Sequence, residues 1–388
     1  MRILIAGGGT GGHVFPGIAL AEEAVGRQAE NDAIFVGTAQ GLEAKVVPAA
    51  GYPIELIQVK GLKGKGLAGA LGNLLLVPGA LLKSLLVLRR WRPDVVIGVG
   101  GYASGPVVLA AWLLRIPTAV QEQNAAAGFT NRLLGRVVGT VFTAFPEAAA
   151  YFPKRKVQQL GNPIRRRLLD NFMRPTTPHD RLHVLVCGGS QGAHALNMRI
   201  VESLPHLADV KEKLTLTHQT GHRDRDAVEK GYQATGFAPD VKEFITDMSA
   251  AYAAADLVVA RAGATTLAEL TCCQKPSILV PFPFAADNHQ VLNARSLVEA
   301  GAAVMIEERD LTGEVLAREI RAILANPERR RQMARAAGRL GAPQAAREIV
   351  DVCAELCRAR WGAARGQARP PGFEPVRPPD APGGPRRK

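Results

Sequence analysis

Short apolar runs alternate with longer helical stretches along the first half of the chain. Ile3–Ala6 reads as a buried strand, a glycine turn follows, and a helix is expected from about Phe15 to Ala24. Ala33–Val36, Asp94–Val99, Thr118–Gln121 and Val141–Ala144 are further strand candidates. Near residue 160 the rhythm breaks. Residues 161–181 are rich in Pro and Arg and lack strand character, so they read as a connection. Leu182–Cys187 then opens a second series of the same plan, continued by Leu214–His218, Leu257–Ala260 and Ser277–Val280, and a helix around Ala345–Arg358 closes the folded part. Strands alternating with helices mean βαβ units and parallel sheets. The expected fold class is α/β, with two Rossmann-like domains facing across a cleft. Their expected bounds are 1–160 and 161–342, with a helix over 343–358 and a disordered tail over 359–388.

Composition narrows the function. A chain of 388 residues, 47% apolar, is long enough for two or three packed domains, and global disorder is excluded. Lys and Arg number 48 against 35 Asp and Glu, a net charge of +13 that points to an anionic partner: phosphate, nucleic acid or membrane. The tail carries +5 of this, with seven basic residues and seven prolines from Arg360 onward. Five cysteines without a CxxC pair argue against a disulfide or zinc framework and fit a reducing cytoplasm. The first residues, MRILIAGGG, are too short an apolar run for a signal peptide and read as a first strand.

Three glycine loops carry the candidate chemistry. Loop one is Gly7–His13, loop two Gly100–Gly105 and loop three Gly188–Ala193. Glycine lets backbone approach a ligand closely, and a helix N-terminus offers unpaired N–H groups, so phosphate or another anion is the expected ligand. Gly7, Gly9 and Gly12 satisfy the dinucleotide pattern, but the second strand ends in Gly37-Thr38 without the ribose-binding acid, which disfavours an NAD-dependent oxidoreductase. His13 follows loop one at a helix start, where an imidazole can act as a base. His194 stands at the matching place beside loop three, as a phosphate donor or a surface residue. Asp224 and Asp226 form the one Asp-x-Asp pair considered for metal; helix capping and surface charge explain them better, and no metal or cofactor is expected.

Residues 66–92 form a nearly membrane-long apolar stretch, interrupted by Asn73, Pro78 and Lys83. Lys60, Lys63 and Lys65 flank one end and Arg89, Arg90 and Arg92 the other, a pattern suited to an interfacial helix on anionic lipid. The competing reading is a domain helix packed on the sheet.

In order along the chain, these motifs resemble those of the MurG family. The match includes GGTGGHVFPGIALAEE (8–23), GLKGKG (61–66), PDVVIGVGGYASGP (93–106), EQNAAAGFTNRLL (122–134) and GNPIR (161–165). It continues through GGSQGAHALN (188–197), FITDMSAAYAAAD (244–256), RAGATTLAEL (261–270) and DNHQVLNA (287–294). The resemblance implies a GT-B fold and an inverting, metal-independent transfer of N-acetylglucosamine from UDP-N-acetylglucosamine to lipid I, giving lipid II. It implies that the N-terminal half takes the lipid acceptor, the C-terminal half takes the nucleotide sugar, and the last helix returns to the first domain. His13 becomes the candidate base, with Glu122 as the other candidate. Thr10, Gly11, Gly12, Asn124, Arg165, Ser190, Gln191 and Ile245 would line the substrate site, with Ile245 reading uracil through its backbone. So would the run Ala264, Thr265, Thr266, Leu267, Ala268 and Glu269, where Glu269 accepts from the ribose hydroxyls. His289 and Gln290 stand near the sugar, where some members of the family carry Gln-Gln. Tyr102 and Ser104 belong to the acceptor side. The implied location is peripheral, on the cytoplasmic face of the plasma membrane, with room for cell-wall or division-machinery proteins as partners and no nucleic acid. Rival readings are a GT-B transferase with another lipid acceptor and a non-catalytic basic module.

Overall fold

The computed structural model describes residues 1–59, 76–172, 181–189 and 192–362. The chain forms two compact units: Met1–Arg165 with the chain from Gln344 onward, and Arg166–Pro343.

Among the described residues the first unit holds seven strands: β1 (Arg2–Gly7), β2 (Asp32–Gly37), β3 (Ile54–Leu56), β4 (Val95–Gly100), β5 (Thr118–Glu122), β6 (Thr140–Thr143) and β7 (Val157–Gln159). All pair in parallel, in the order β3-β2-β1-β4-β5-β6-β7. Because side chains alternate along a strand, β1 feeds both faces of the sheet. Ile3 and Ile5 pack with Val14 and Ile18 of helix α1 (Gly11–Arg27), and with Ile349, Val350 and Cys353 of the terminal helix Ala345–Trp361. Leu4 and Ala6 serve the opposite face with Val87, Leu88 and Val107. The terminal helix is tied to α1 by Arg27, whose guanidinium meets Asp351 at 2.6 Å. It runs past the expected end at 358 because the Trp361 indole donates to the Asp94 carbonyl at 3.1 Å. Residues 363–388, most of the expected tail, lie outside the described residues.

The other α-helices among the described residues of this unit are α2 (Glu43–Ala49), α3 (Leu76–Trp91), α4 (Ser104–Leu113) and α5 (Phe129–Leu134). The apolar stretch at 66–92 resolves into α3 and residues outside the description; Lys60, Lys63 and Lys65 fall in the latter. Helix α3 buries Ala80, Ser84, Val87 and Leu88 and exposes Leu82, Lys83, Leu86, Arg89 and Arg90. It is thus a domain helix on its inner face. Among the described residues no helix is long and apolar enough to cross a membrane.

The second unit repeats the plan with β8 (Leu182–Cys187), β9 (Leu214–Gln219), β10 (Asp240–Lys242), β11 (Leu257–Ala260), β12 (Ser277–Leu279) and β13 (Ala303–Met305). The order β10-β9-β8-β11-β12-β13, all parallel, is that of a dinucleotide-binding fold. Its helices are α6 (Arg166–Phe172), α7 (His194–Ser203), α8 (Arg225–Thr235), α9 (Met248–Ala254), α10 (Ala264–Cys272), α11 (His289–Glu299), α12 (Gly313–Leu324) and α13 (Pro327–Leu340). The segment read as an irregular connection therefore carries a helix, α6. One core joins Val184, Val186, Leu257 and Val259 to Leu196, Ile200, Leu316 and Ile320.

Candidate active site

Ligands of open parallel sheets bind beyond the carboxyl ends of the strands, where strand order reverses. That point lies between β1 and β4 in the first unit and between β8 and β11 in the second. Loop one leaves β1, loop two leaves β4 and loop three leaves β8, while Arg261-Ala262-Gly263 leaves β11.

Loops one and two are knitted together. Gly8 N–H donates to the Gly100 carbonyl at 3.2 Å. A Cβ on Gly101, whose φ is +81°, would come within 2.3 Å of the Gly8 oxygen, so only glycine fits. A Cβ on Gly100 (φ +96°) would come within 2.6 Å of the His13 ring. His13 Nδ1 lies 3.2 Å from the Gly8 carbonyl and 3.4 Å from the Thr10 hydroxyl. Gly11 and Gly12 form the first turn of α1 and Thr10 its N-cap, with no side-chain capping bond.

The buried Glu43 changes the reading of loop one. Its carboxylate accepts Gly9 N–H at 2.7 Å, Thr38 N–H at 2.8 Å and the Thr38 hydroxyl at 2.9 Å. The Gly9 amide expected for a bound anion is already bonded to a protein carboxylate, and a phosphate there would meet its charge. Loop one instead holds His13 in place.

Glu122 is not placed as a base. It is 1% exposed. Oε1 accepts from Asn124 N–H at 3.0 Å and Asn124 Nδ2 at 3.3 Å; Oε2 accepts from Gly128 N–H and Asn131 Nδ2, both at 2.9 Å. A carboxylate has about four lone-pair sites, and four donors occupy them. Glu122 therefore shapes the turn that carries Asn124. Ser104 also departs from expectation. It is fully buried, and its hydroxyl accepts Gly100 N–H at 3.0 Å while facing the Ala6 and Gly100 carbonyls. It braces loop two rather than lining an acceptor surface. Tyr102, by contrast, is exposed. The half-buried Arg165 stacks its guanidinium 5.1 Å from the ring of Phe15, two residues beyond His13 on α1.

In the second unit, Gly192 N–H closes a turn onto the Gly189 carbonyl at 3.0 Å. Ser190 and Gln191 lie outside the described residues. Ile245 is buried, and its N–H donates to Gln219 Oε1 at 3.0 Å, so only its carbonyl is left for a base edge. Helix α10 begins behind Gly263, which has no side chain to cap it, and Ala264 and Leu267 are buried in its first turn. Thr265, Thr266, Ala268 and Glu269 are half-buried. The buried Tyr252 hydroxyl donates to Glu269 Oε2 at 2.9 Å; burial raises its pKa well above the ordinary phenol value, so it stays a donor. His289 Nδ1 meets the Ala286 carbonyl at 2.6 Å and Gln290 Oε1 accepts Phe282 N–H at 2.9 Å, both steadying the loop before α11.

Asp224 occupies the N-cap position of α8 without capping it through its side chain. It makes no capping bond; Oδ1 meets His194 Nδ1 at 2.9 Å and Oδ2 accepts Asn197 Nδ2 at 2.8 Å. Among the described residues no group of three ligating side chains forms a metal site. Sequence reasoning passed over Glu43 as a loop anchor, and missed Gln219 and Tyr252. An acid set among glycines in TAQGLE was the one available signal.

Residues 3–143 match the model of the glycosyltransferase family 28 N-terminal domain, and residues 183–349 that of its C-terminal domain. A protein of Anaeromyxobacter dehalogenans strain 2CP-1 is 76% identical over 98% of this chain and 99% of its own length. A Myxococcus xanthus protein is 58% identical over 96% and 97%. Both are named UDP-N-acetylglucosamine–N-acetylmuramyl-(pentapeptide) pyrophosphoryl-undecaprenol N-acetylglucosamine transferase. The crystal structure of Acinetobacter baumannii MurG matches with a TM-score of 0.74 and 32% identity, covering 91% of this chain and 99% of that one.

Proposed function

The chain belongs to glycosyltransferase family 28, and we propose on that premise that it makes lipid II. It moves N-acetylglucosamine from UDP-N-acetylglucosamine to the 4-hydroxyl of the N-acetylmuramoyl group of lipid I, with inversion. The observation that carries this reading is the 76% identity to a transferase of that name, sustained over 98% of the chain and hence through both units.

The side chains take roles consistent with that chemistry. The 4-hydroxyl needs a base as its bond to the sugar forms. Gly8 O is only an acceptor, so the contact favours the tautomer with the proton on His13 Nδ1 and the lone pair on Nε2. His13 is therefore the base, and Glu122 orders Asn124 beside it in sequence. Departing UDP gathers negative charge, which Arg165 and the N–H groups at the start of α10 can stabilise without a metal. Glu269, held by Tyr252, accepts from the ribose hydroxyls, and Ile245 meets uracil through its carbonyl. Ser190, Gln191, His289 and Gln290 serve the diphosphate and sugar; Tyr102 faces the acceptor.

The protein works peripherally on the cytoplasmic face of the membrane. Supporting this, α3 exposes Leu82 and Leu86 one turn apart, beside Lys83, Arg89 and Arg90. Apolar side chains rimmed by cations suit an anionic lipid surface. Incubation with labelled UDP-N-acetylglucosamine and lipid I tests the proposal.

A further inference from the structure

Gln219 ends β9 and is 3% exposed, yet its amide spans two loops. Oε1 accepts Ile245 N–H at 3.0 Å, and Nε2 donates to the Gly189 carbonyl at 2.9 Å. The amide's orientation is fixed by its partners, since a backbone N–H only donates and a carbonyl only accepts. A second contact docks loop three on the same strand end: a Cβ on Gly192 would come within 2.1 Å of the Thr220 oxygen. An amide standing in the nucleotide's own place would be open to solvent, so Gln219 lies behind both segments.

We propose that Gln219 is a positioning residue that sets the spacing between the nucleobase-reading segment at Ile245 and the diphosphate-facing loop at Gly189. The inference rests on the donor-site reading above. A nucleoside diphosphate touches both segments and needs their spacing; a nucleoside touches only the first. One buried amide thereby decides how much affinity the diphosphate adds. A primary amide offers an acceptor and a donor on one planar group at this reach, whatever the pH. An ionised glutamate keeps the acceptor for Ile245, loses the donor, and sets an oxygen against the Gly189 carbonyl, so its affinities are read well above the carboxyl's pKa. Methionine keeps the volume and loses both bonds.

The test measures the affinities of UDP and uridine by calorimetry for the full chain and for Gln219→Glu and Gln219→Met, with thermal melting of each. For Gln219→Glu the tie predicts UDP affinity lower by about 10-fold or more, the cost of an unmet buried hydrogen bond, with uridine affinity within about threefold of the parent. For Gln219→Met it predicts loss for both ligands, larger for UDP. Should Gln219→Glu not fold, the UDP-to-uridine ratio of Gln219→Met decides alone. An unchanged ratio in the folded variants overturns the tie, whether both affinities fall together or neither moves. A parent protein that binds UDP no more tightly than uridine overturns the donor-site reading itself, and the tie with it.

Discussion

Nδ1 of His13 lies 3.2 Å from the carbonyl oxygen of Gly8. That contact favours the tautomer with the proton on Nδ1 and aims the ring with backbone from loop one, while Gly100 of loop two leaves room for it. The glycines thus orient the imidazole proposed as the base.

Replacing His13 with Ala should lower turnover by about 10²- to 10⁴-fold, the usual share of a general base, with little change in donor affinity. Glu122→Ala should act differently: it leaves four N–H donors unmet and should lower the melting temperature and the turnover together. Near-normal turnover in His13→Ala, beside a stable but inactive Glu122→Ala, would pass the role of base to Glu122.

Glu269→Ala should weaken UDP binding by about 1.5–3 kcal/mol, the value of hydrogen bonds to a charged group. Tyr252→Phe removes only the bond that holds Glu269 and should cost less, about 1 kcal/mol. Calorimetry checks both, and an unchanged affinity in Glu269→Ala excludes the ribose contact.

Much of this site was legible in the chain because glycine runs sit where buried strands end. The core strands were legible too, most as apolar runs and β9 by its Leu-Thr-Leu-Thr alternation. Strands β3, β7, β10 and β13 were not. Each is a three-residue sheet edge. Such strands bury little and carry no alternation to read. Glu43, Gln219 and Tyr252 were obscure for another reason. Their partners Gly9, Ile245 and Glu269 lie 34, 26 and 17 residues away and meet them only through the fold. The internal bonds of Ser104 and Glu122 were not legible, because a motif shows that a polar residue is present, not whether it faces a ligand or the backbone.

Activity should persist in EDTA, since both Asp224 oxygens are engaged by His194 and Asn197. Complete loss in chelator, restored by magnesium or manganese, would contradict this.

Stability should fall with acid through His218. Burial pushes this imidazole from 6.5 down to about 3, where Tyr232 and Asn197 hold it neutral. The unfolded chain takes up a proton below pH 6.5 and the folded one does not. This group's contribution is therefore full above pH 6.5 and is lost at ~1.4 kcal/mol per pH unit as pH falls towards 3. Urea titrations at pH 7.5 and 5.5 should show a smaller difference for His218→Gln than for the parent; equal differences would refute it.

Replacing Leu82 and Leu86 by Ser, or Arg89 and Arg90 by Glu, should weaken binding to phosphatidylglycerol vesicles by roughly 1 kcal/mol for each basic residue at the surface. Extending the charge change to Lys63 and Lys65 tests the segment before α3. Transfer to a soluble acceptor analogue should survive. Unaltered vesicle binding in all these variants would place the contact elsewhere on the chain.

The central claim is the transfer itself. The protein should be incubated with UDP-N-acetylglucosamine labelled in the sugar, with and without lipid I, and the products separated by chromatography. Label should appear in a lipid-linked β-1,4 disaccharide, with one UDP released per sugar moved, and neither without lipid I. Label that stays on the nucleotide, or that is released as free sugar while lipid I is untouched, would contradict it.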